Sequence, residues 1–357
     1  MTRVSVLSRL LFRLPRIPRE PGELNLLLIT NTKKNQGYYR DSELMRQTNG
    51  VRIPEAFPFA RYDWDIRRVL DAMYGNDYPD IIYVHYNRSY THRIRHMDKV
   101  KVLKIAFVGD PQDFLEDDEK HVRKRQWLSQ AGIDGYLTIA PEANWMVRKG
   151  LGDESVLIID SHLAVDPAVF RDLGLRRTKE IGSFGAHTDK KYPFRILVRE
   201  FLLSQTEYTT NRRQRVGRGG NDAVRFAREL NRYVACFTCG SMYGYTVAKY
   251  FEIPACGTFL FGERTALLEE FGYRDGVNFA EVSREDFKDK FHYYLREIHP
   301  DDRARIARAG RELVVTRHTW KHRAEGILDG FKQLLAAQEG GRVNPSDPGS
   351  GHAAPRK

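Results

Sequence analysis

Cysteine is scarce in this sequence, with three residues among 357. An odd number without framework spacing argues against a disulfide-stapled secreted domain, so we expect a cytoplasmic protein. The first twenty residues lack a long apolar run, because arginines, Pro15 and Pro18 break their amphipathic pattern. This excludes a secretory signal or a membrane span there. A frayed basic terminus and a peripheral contact with the inner membrane surface both remain open.

Acidic residues are outnumbered, since 58 Lys and Arg against 47 Asp and Glu give a formal net charge of +11. The protein should therefore attract anions, such as phosphorylated substrates, nucleic acid or an acidic membrane surface. Hydrophobic residues make up 41% and charged residues 29%, which is typical of a globular protein and excludes disorder of the whole chain.

Short apolar runs alternate with amphipathic segments, and this alternation predicts parallel sheets covered by helices. The predicted strands are 24–30, 80–85, 102–108, 135–140, 155–159, 181–184, 233–238 and 258–261. The predicted helices are 62–74, 89–99, 114–130, 141–149, 193–204, 222–230, 243–251, 284–297, 301–316 and 321–337. The fold class is thus α/β, with two Rossmann-like, doubly wound domains that face a central cleft.

The domain limits follow from a loop-rich stretch after residue 160, beyond which the alternation starts again. We expect a basic segment at 1–20, domains at 21–172 and 173–320, a closing helix at 321–339 and a disordered tail at 340–357.

Residues 233–262 carry two charged side chains, Lys249 and Glu252, which share a helix face at this spacing. One interpretation is an ion pair at the edge of the core. The other uses the small-residue turn that precedes them and contains Gly240, Ser241 and Gly244. Such a turn lets backbone N–H groups approach a phosphate, while Lys249 adds charge and Glu252 accepts hydrogen bonds from ribose hydroxyls.

A second basic cluster follows the predicted strand 181–184, in the segment GSFGAHTDKKYPFR. His187, Lys190, Lys191 and Arg195 collect there, next to a helix that starts at Pro193. The cluster is either a solvated basic loop or a cradle for a diphosphate leaving group, whose charge fixed cations stabilise without a metal.

The segment KYFEIPACGTFLFGERTALLEEFGYRDGVNFAEV resembles the C-terminal domain of group 1 glycosyltransferases, particularly their spore-maturation CgeB-like branch. Their pattern is similar to KxxExxAxG, and the four matching residues are Lys249, Glu252, Ala255 and Gly257. DPAVF at 166–170, the GSFGAH turn and HTWKHRAEGIL at 318–328 extend the resemblance over roughly 161–335.

The resemblance implies a GT-B fold, with the acceptor on domain 21–172 and a nucleotide-sugar donor on domain 173–320. It implies transfer of a sugar to a hydroxyl of a glycan, lipid-linked or protein acceptor, in surface glycan synthesis, with no cofactor and no metal. Glu252 would bind the ribose, and Arg195 with Lys190 or Lys191 would face the diphosphate. Many retaining members carry a second glutamate where this chain has Gly244, which leaves sugar recognition and stereochemistry open.

Two candidates for catalysis lie in the first domain, just past predicted strands. His85 and Asp110 occupy positions where cleft residues are expected, and an aspartate there could act as a base in an inverting reaction. The alternative for Asp110 is a turn residue before Pro111.

Two further motifs each allow a different interpretation. Asp63 and Asp65 form a DxD, a motif that can hold a cation, but here they open the helical segment DWDIRRVLDAM, where acidic residues are expected as caps. Four arginines, Arg212, Arg213, Arg215 and Arg218, form the most basic loop and support a rival hypothesis, an inactive protein that binds nucleic acid or another polyanion. We do not expect a nucleic-acid partner, because the loop has no interleaved aromatic residues.

Overall fold

The computed structural model describes residues 16–30, 36–54, 63–85, 93–185, 191–210 and 222–340. The expectations for the basic N-terminal residues 1–15, for the arginine-rich loop and for the tail from 341 onward fall outside these ranges.

The first domain contains a six-stranded parallel sheet with the order β2-β1-β4-β6-β7-β8. Its strands are β1 (Asn25–Thr30), β2 (Asn49–Pro54), β4 (Ile81–His85), β6 (Leu103–Val108), β7 (Gly135–Thr138) and β8 (Ile158–Asp160), while β3 (Trp64–Asp65) pairs with β5 (Ile94–Arg95). Its helices are α1 (Gln36–Arg46), α2 (Ile66–Tyr74), α3 (Glu119–Gln130) and α4 (Asn144–Leu151). Leu26 and Leu27 in β1 point to opposite faces and are both fully buried, as expected for a parallel strand covered by helices on both sides.

The second domain contains a four-stranded parallel sheet with the order β12-β11-β10-β9. Its strands are β9 (Lys179–Ser183), β10 (Tyr233–Thr238), β11 (Phe259–Gly262) and β12 (Ala280–Glu281). Its helices are α5 (Pro193–Ser204), α6 (Asp222–Leu230), α7 (Lys249–Ala255), α8 (Phe287–His292) and α9 (Pro300–Arg317).

The chain returns to the first domain through α10 (Trp320–Gly340). Ile327 and Phe331 of this helix are buried in one core cluster with Leu26 and Leu28 of β1. The two segments that cross between the sheets are joined at Val165, whose N–H donates to the His318 carbonyl at 3.1 Å.

Two sequence-based predictions of elements were wrong. The segment predicted as helix 89–99 contains β5 and a 3₁₀ turn, Met97–Lys99, in its described part, and the helix predicted at 243–251 begins only at Lys249. Helix α1 and strand β2 were not predicted. The N-cap prediction for Asp65 is confirmed, because its side chain accepts from the Arg67 N–H of α2.

No helix in the described ranges has both the length and the apolar character needed to cross a membrane.

His318 lies at the crossing between the domains and is 4% exposed. Its Nε2–H donates to the Phe271 carbonyl at 2.7 Å, and its Nδ1 accepts from Arg323 at 2.7 Å, because a guanidinium only donates. Because the Nδ1 that accepts carries no proton, the imidazole is neutral. Burial, with a smaller contribution from Arg323, lowers the pKa of His318 from 6.5 to about 4.

We expect stability to fall as the pH drops from 6.5 towards 4, because the unfolded chain binds a proton at His318 that the folded protein excludes. A shift of this size corresponds to a loss of about 2 kcal/mol between pH 7 and pH 5. Urea unfolding of the wild type and of His318→Gln at both pH values measures it. The variant should lose less stability than the wild type over this interval, whereas a variant of the exposed His299, His299→Gln, should behave as the wild type. Equal losses for wild type and His318→Gln would contradict the assignment.

Candidate functional site

Two turns of the second domain meet at one edge of its sheet. Strands β9 and β10 are neighbours and parallel, so the turn after β9 at Gly185 and the turn after β10 at Gly240 and Ser241 lie side by side. Helix α5 begins close to this edge with Pro193 in its first turn, which places Arg195 there as well. The predicted clusters around Arg195 and Lys249 are therefore parts of one site.

Arg195 and Lys249 both approach Gly185. This glycine has φ +112°, and a Cβ placed on it would lie 2.6 Å from Arg195 Nη1 and 3.3 Å from Lys249 Cε. Arg195 is 2% exposed, and its guanidinium lies 4.0 Å from the centre of the Tyr192 ring. The glycine is required here because any side chain would displace the cations.

The charged side chains at this edge are largely buried, and they comprise two cations, Arg195 and Lys249, and one carboxylate, Glu252. Burial lowers the pKa of Lys249, the nearby Arg195 lowers it further, and the carboxylate of Glu252 opposes both. Glu252 is 6% exposed in the first turn of α7. Two adjacent cations with one buried carboxylate favour an anion such as a diphosphate at the turn.

The loop after β10 lines a cavity of about 250 Å³ together with Glu263, a residue that the sequence analysis missed. Glu263 follows β11 directly, and its Oε2 accepts from the Gly240 N–H at 3.1 Å. Burial raises the pKa of Glu263, although the Gly240 hydrogen bond and the charges of Arg284 and Arg195 lower it. The signal in the sequence was its position two residues beyond the predicted strand 258–261, which pairs with β10 in the structure.

Contacts between the domains involve the same loop. Tyr245 Oη donates to Gln112 Oε1 at 3.0 Å, and Thr246 Oγ1 donates to Glu142 Oε1 at 3.2 Å. Lys191 Nζ lies 3.1 Å from Glu116 Oε1 of the first domain. A predicted diphosphate ligand, Lys191, is therefore an interdomain contact in this structure.

Of the predicted donor-binding residues, His187 and Lys190 lie outside the described residues. Lys191 pairs with Glu116 of the first domain. The structure brings together the other predicted residues, which are Gly240, Ser241, Lys249 and Glu252 along the loop and α7, with Arg195 on α5. The helix predicted at 243–251 starts only at Lys249, so the small-residue turn around Gly240 and Ser241 does not lead directly into a helix N-terminus.

His85 ends β4 and is buried in a polar cluster. Its Nε2 lies 2.5 Å from Arg40 Nη2, and since a guanidinium only donates, Nε2 accepts. Asp41 Oδ1, which is fully buried, lies 3.5 Å from the same nitrogen and 2.9 Å from Arg40 Nη2. Burial raises the pKa of Asp41, but the charge and hydrogen bonds of Arg40 more than offset this and hold the pKa well below its ordinary value. Burial lowers the pKa of His85, so this imidazole is neutral and its Nε2 lone pair is engaged.

Asp110 is exposed at the end of β6, where it precedes the 3₁₀ turn Pro111–Phe114. It acts on Tyr245 across the domain boundary: burial raises the Tyr245 pKa, and the charges of Tyr192 and Asp110 add to that effect. Asp110 is therefore close enough to Tyr245 of the second domain to influence its pKa, and its role as a base stays a prediction.

One group of described residues has the donor atoms of a cation site, namely Asp113, Glu116 and His121, within 4.8 Å of one another. Lys124 lies 3.1 Å from Asp113, and Lys191 the same distance from Glu116. These ammonium groups already balance both carboxylates, so the cluster is better described as an ion-pair network. The predicted DxD is not assembled as a metal site, since Asp63 pairs with Arg95 and Asp65 caps α2.

Comparisons with known proteins place this geometry in context. Residues 185–329 match the model of a family described as glycosyl transferase-like, and no curated protein matches the chain. Sucrose-phosphate synthase from Thermosynechococcus elongatus has a TM-score of 0.58 at 12% identity, over 87% of this chain and 99% of that one. HepE from Anabaena, solved with UDP and glucose, has a TM-score of 0.56 at 9% identity, over 87% and 100%. A glycosyltransferase from Rickettsia africae has a TM-score of 0.54 at 9% identity, over 88% and 99%.

The chain has the GT-B fold. The sequence-based prediction of the fold class is thus confirmed, and the glycosyl transferase-like match covers the second domain, where Arg195, Lys249 and Glu252 lie. In this GT-B structure the site faces the first domain, because Tyr245 and Thr246 contact residues of that domain.

Gly185→Ala should weaken the binding of inorganic pyrophosphate by roughly tenfold, the effect of displacing one charge-assisted hydrogen bond. The reason is the contact of 2.6 Å between the added Cβ and Arg195 Nη1. Isothermal titration calorimetry measures the affinity. Gly174→Ala is the matched control, since Gly174 also has positive φ but a Cβ there meets nothing within 4 Å. Equal affinities of the Gly185 variant and the wild type would contradict an anion site at this turn.

Proposed function

We propose that this protein is a glycosyltransferase that moves a sugar from a nucleoside-diphosphate donor to an acceptor hydroxyl. The observation that carries the proposal is the meeting of Arg195 and Lys249 at Gly185, with Glu252 beside them, in a GT-B fold. The glycosyl transferase-like match over residues 185–329 supports the same activity.

In this proposal, different residues of the site bind different parts of the donor. Arg195 and Lys249 bind the diphosphate and stabilise the charge that grows on it as the glycosidic bond breaks. Glu252 accepts hydrogen bonds from the ribose hydroxyls. These two cations supply the stabilisation that other transferases obtain from a metal, so the proposal includes transfer without a metal or a cofactor.

The narrower parts of the proposal rest on the resemblance and on composition. They are membership of the CgeB-like branch, a role in surface glycan synthesis, and a glycan, lipid-linked or protein acceptor. A cytoplasmic location, with basic residues at the inner membrane surface, belongs to the same proposal. The HepE structure with UDP and glucose makes uridine nucleotides the first donors to test.

Glu252→Gln should weaken nucleoside-diphosphate binding by about 1 to 3 kcal/mol, because an amide offers one acceptor oxygen where the carboxylate offers two. Ligand-observed NMR against uridine, guanosine, thymidine and cytidine diphosphates, with and without magnesium, measures this. Glu270→Gln is the control, since Glu270 is exposed outside the site.

One nucleotide should bind the wild type with the same affinity in magnesium and in chelator. Unchanged binding by the folded Glu252 variant would remove that residue from the site. If no nucleotide binds and polyanion affinity falls steeply with salt, the rival hypothesis of a basic binding protein replaces the proposal.

For the acceptor side, the geometry favours Asp110 over His85 as the base, because Arg40 occupies Nε2 of His85. Asp110→Asn should lower kcat by about 10²- to 10⁴-fold, the usual effect of a general base, and leave nucleotide affinity unchanged. Steady-state kinetics with the donor chosen above, with donor hydrolysis as the readout, tests this. Asp117→Asn, an exposed aspartate outside the site, is the control. A normal kcat in Asp110→Asn would show that Asp110 is only a turn residue.

A further inference from the structure

A cavity of about 250 Å³ opens beside the proposed diphosphate site, on the side of the turn that faces β11. Its polar lining comes from three turns that follow neighbouring strands, and includes Gly240, Ser241, Gly244, Glu263, Thr265 and Arg284. The sites of drug-sized ligands occupy about 300 to 1,000 Å³. This cavity is therefore too small for a nucleotide sugar, but it has room for one part of such a donor.

Glu263 is held firmly in this cavity. Its backbone N–H donates to the Thr238 carbonyl at 3.2 Å, and its carbonyl accepts from Tyr250 Oη at 2.5 Å. Its Oε2 accepts from the Gly240 N–H at 3.1 Å. The carboxylate is thus fixed at the rim of the loop that carries the proposed donor site.

The charges of the lining suit a hydroxyl-rich ligand better than a second phosphate. A half-buried carboxylate repels phosphate, whereas it accepts hydrogen bonds from hydroxyl groups. Arg264, which also lines the cavity, is already paired with Glu269 and Glu281, and Arg284 lies near the carboxylate. Ser241 and Thr265 add hydroxyl groups, so the cavity presents donors and acceptors with little net charge.

The space at the mouth of the cavity is open. Gly244 has φ +79°, and a Cβ placed on it would meet nothing within 4 Å. A ring bound against Gly240 and Ser241 would extend past Gly244 without a clash. The diphosphate site at Gly185 adjoins this position, because β9 and β10 are neighbours.

We infer that this cavity binds the transferred sugar ring of the donor and that Glu263 is its specificity-determining residue, accepting hydrogen bonds from the ring hydroxyls. The inference rests on the proposed function. It assigns the sugar to the loop after β11, apart from the diphosphate at Arg195 and Lys249 and the ribose at Glu252.

The test compares two affinities of each variant by calorimetry, one for a nucleoside diphosphate and one for the matching nucleotide glucose. The probes are the uridine, guanosine, thymidine and cytidine pairs. Glu263→Gln keeps an acceptor for the Gly240 N–H but removes the carboxylate. It should bind the nucleotide glucose about 10- to 100-fold more weakly and the diphosphate as well as the wild type does.

Two further variants separate specificity from structure. Glu263→Asp keeps the charge, but its shorter side chain places the carboxylate farther from the sugar ring. This variant should bind the nucleotide glucose more weakly than the wild type does and the nucleoside diphosphate equally well. Glu285→Gln removes an exposed carboxylate next to Arg284 and should change neither affinity. Equal losses for both ligands in the Glu263 variants, or no loss, would overturn the inference while the proposed function stands. If the wild type binds no nucleotide at all, the proposed function fails and this inference fails with it.

Discussion

Two positive charges, on Arg195 and Lys249, are held beside one glycine turn, and the carboxylates around this turn offset their repulsion. Like charges in a partly buried place are costly, which is why burial and Arg195 together lower the Lys249 pKa. Carboxylates offset this cost from two sides: Glu252 acts on Lys249, and Glu263 acts on Arg195. Parallel strands bring the groups together, because β9, β10 and β11 all end at the same edge of the sheet.

The sequence predicted the parts of this arrangement that depend on local pattern. Strands such as β1 and β4 are continuous apolar runs, and burial on both faces leaves them few alternative structures. Lys249 and Glu252 were found because they are isolated charges in a long apolar stretch. Such isolation in a buried segment signals either an ion pair or a ligand, and our proposal of a ligand rests on the approach of Arg195 to the same turn.

The parts that the sequence did not predict depend on contacts between distant segments. The stretch before Lys249 has helical spacing, yet it is held open because Tyr245 and Thr246 bind Gln112 and Glu142 of the other domain. Glu263 follows the apolar stretch 233–262 directly, and the sequence pattern around it predicts no ligand-binding role. Its role follows only from the pairing of β10 with β11, which places it against Gly240.

These interdomain contacts make the loop after β10 sensitive to the position of the first domain. Thr246 Oγ1 is hydrogen-bonded both to Glu142 across the boundary and to Thr265 at 2.6 Å within the second domain. Thr265 lines the same cavity as Glu263. A movement of the first domain would therefore displace Thr246 and Thr265 and change the shape of this cavity. Burial raises the pKa of Glu142, and the hydrogen bonds from the Thr246 N–H and hydroxyl oppose this shift by stabilising the carboxylate. The contact between the domains at Glu142 and the shape of the cavity are therefore coupled through Thr246 and Thr265.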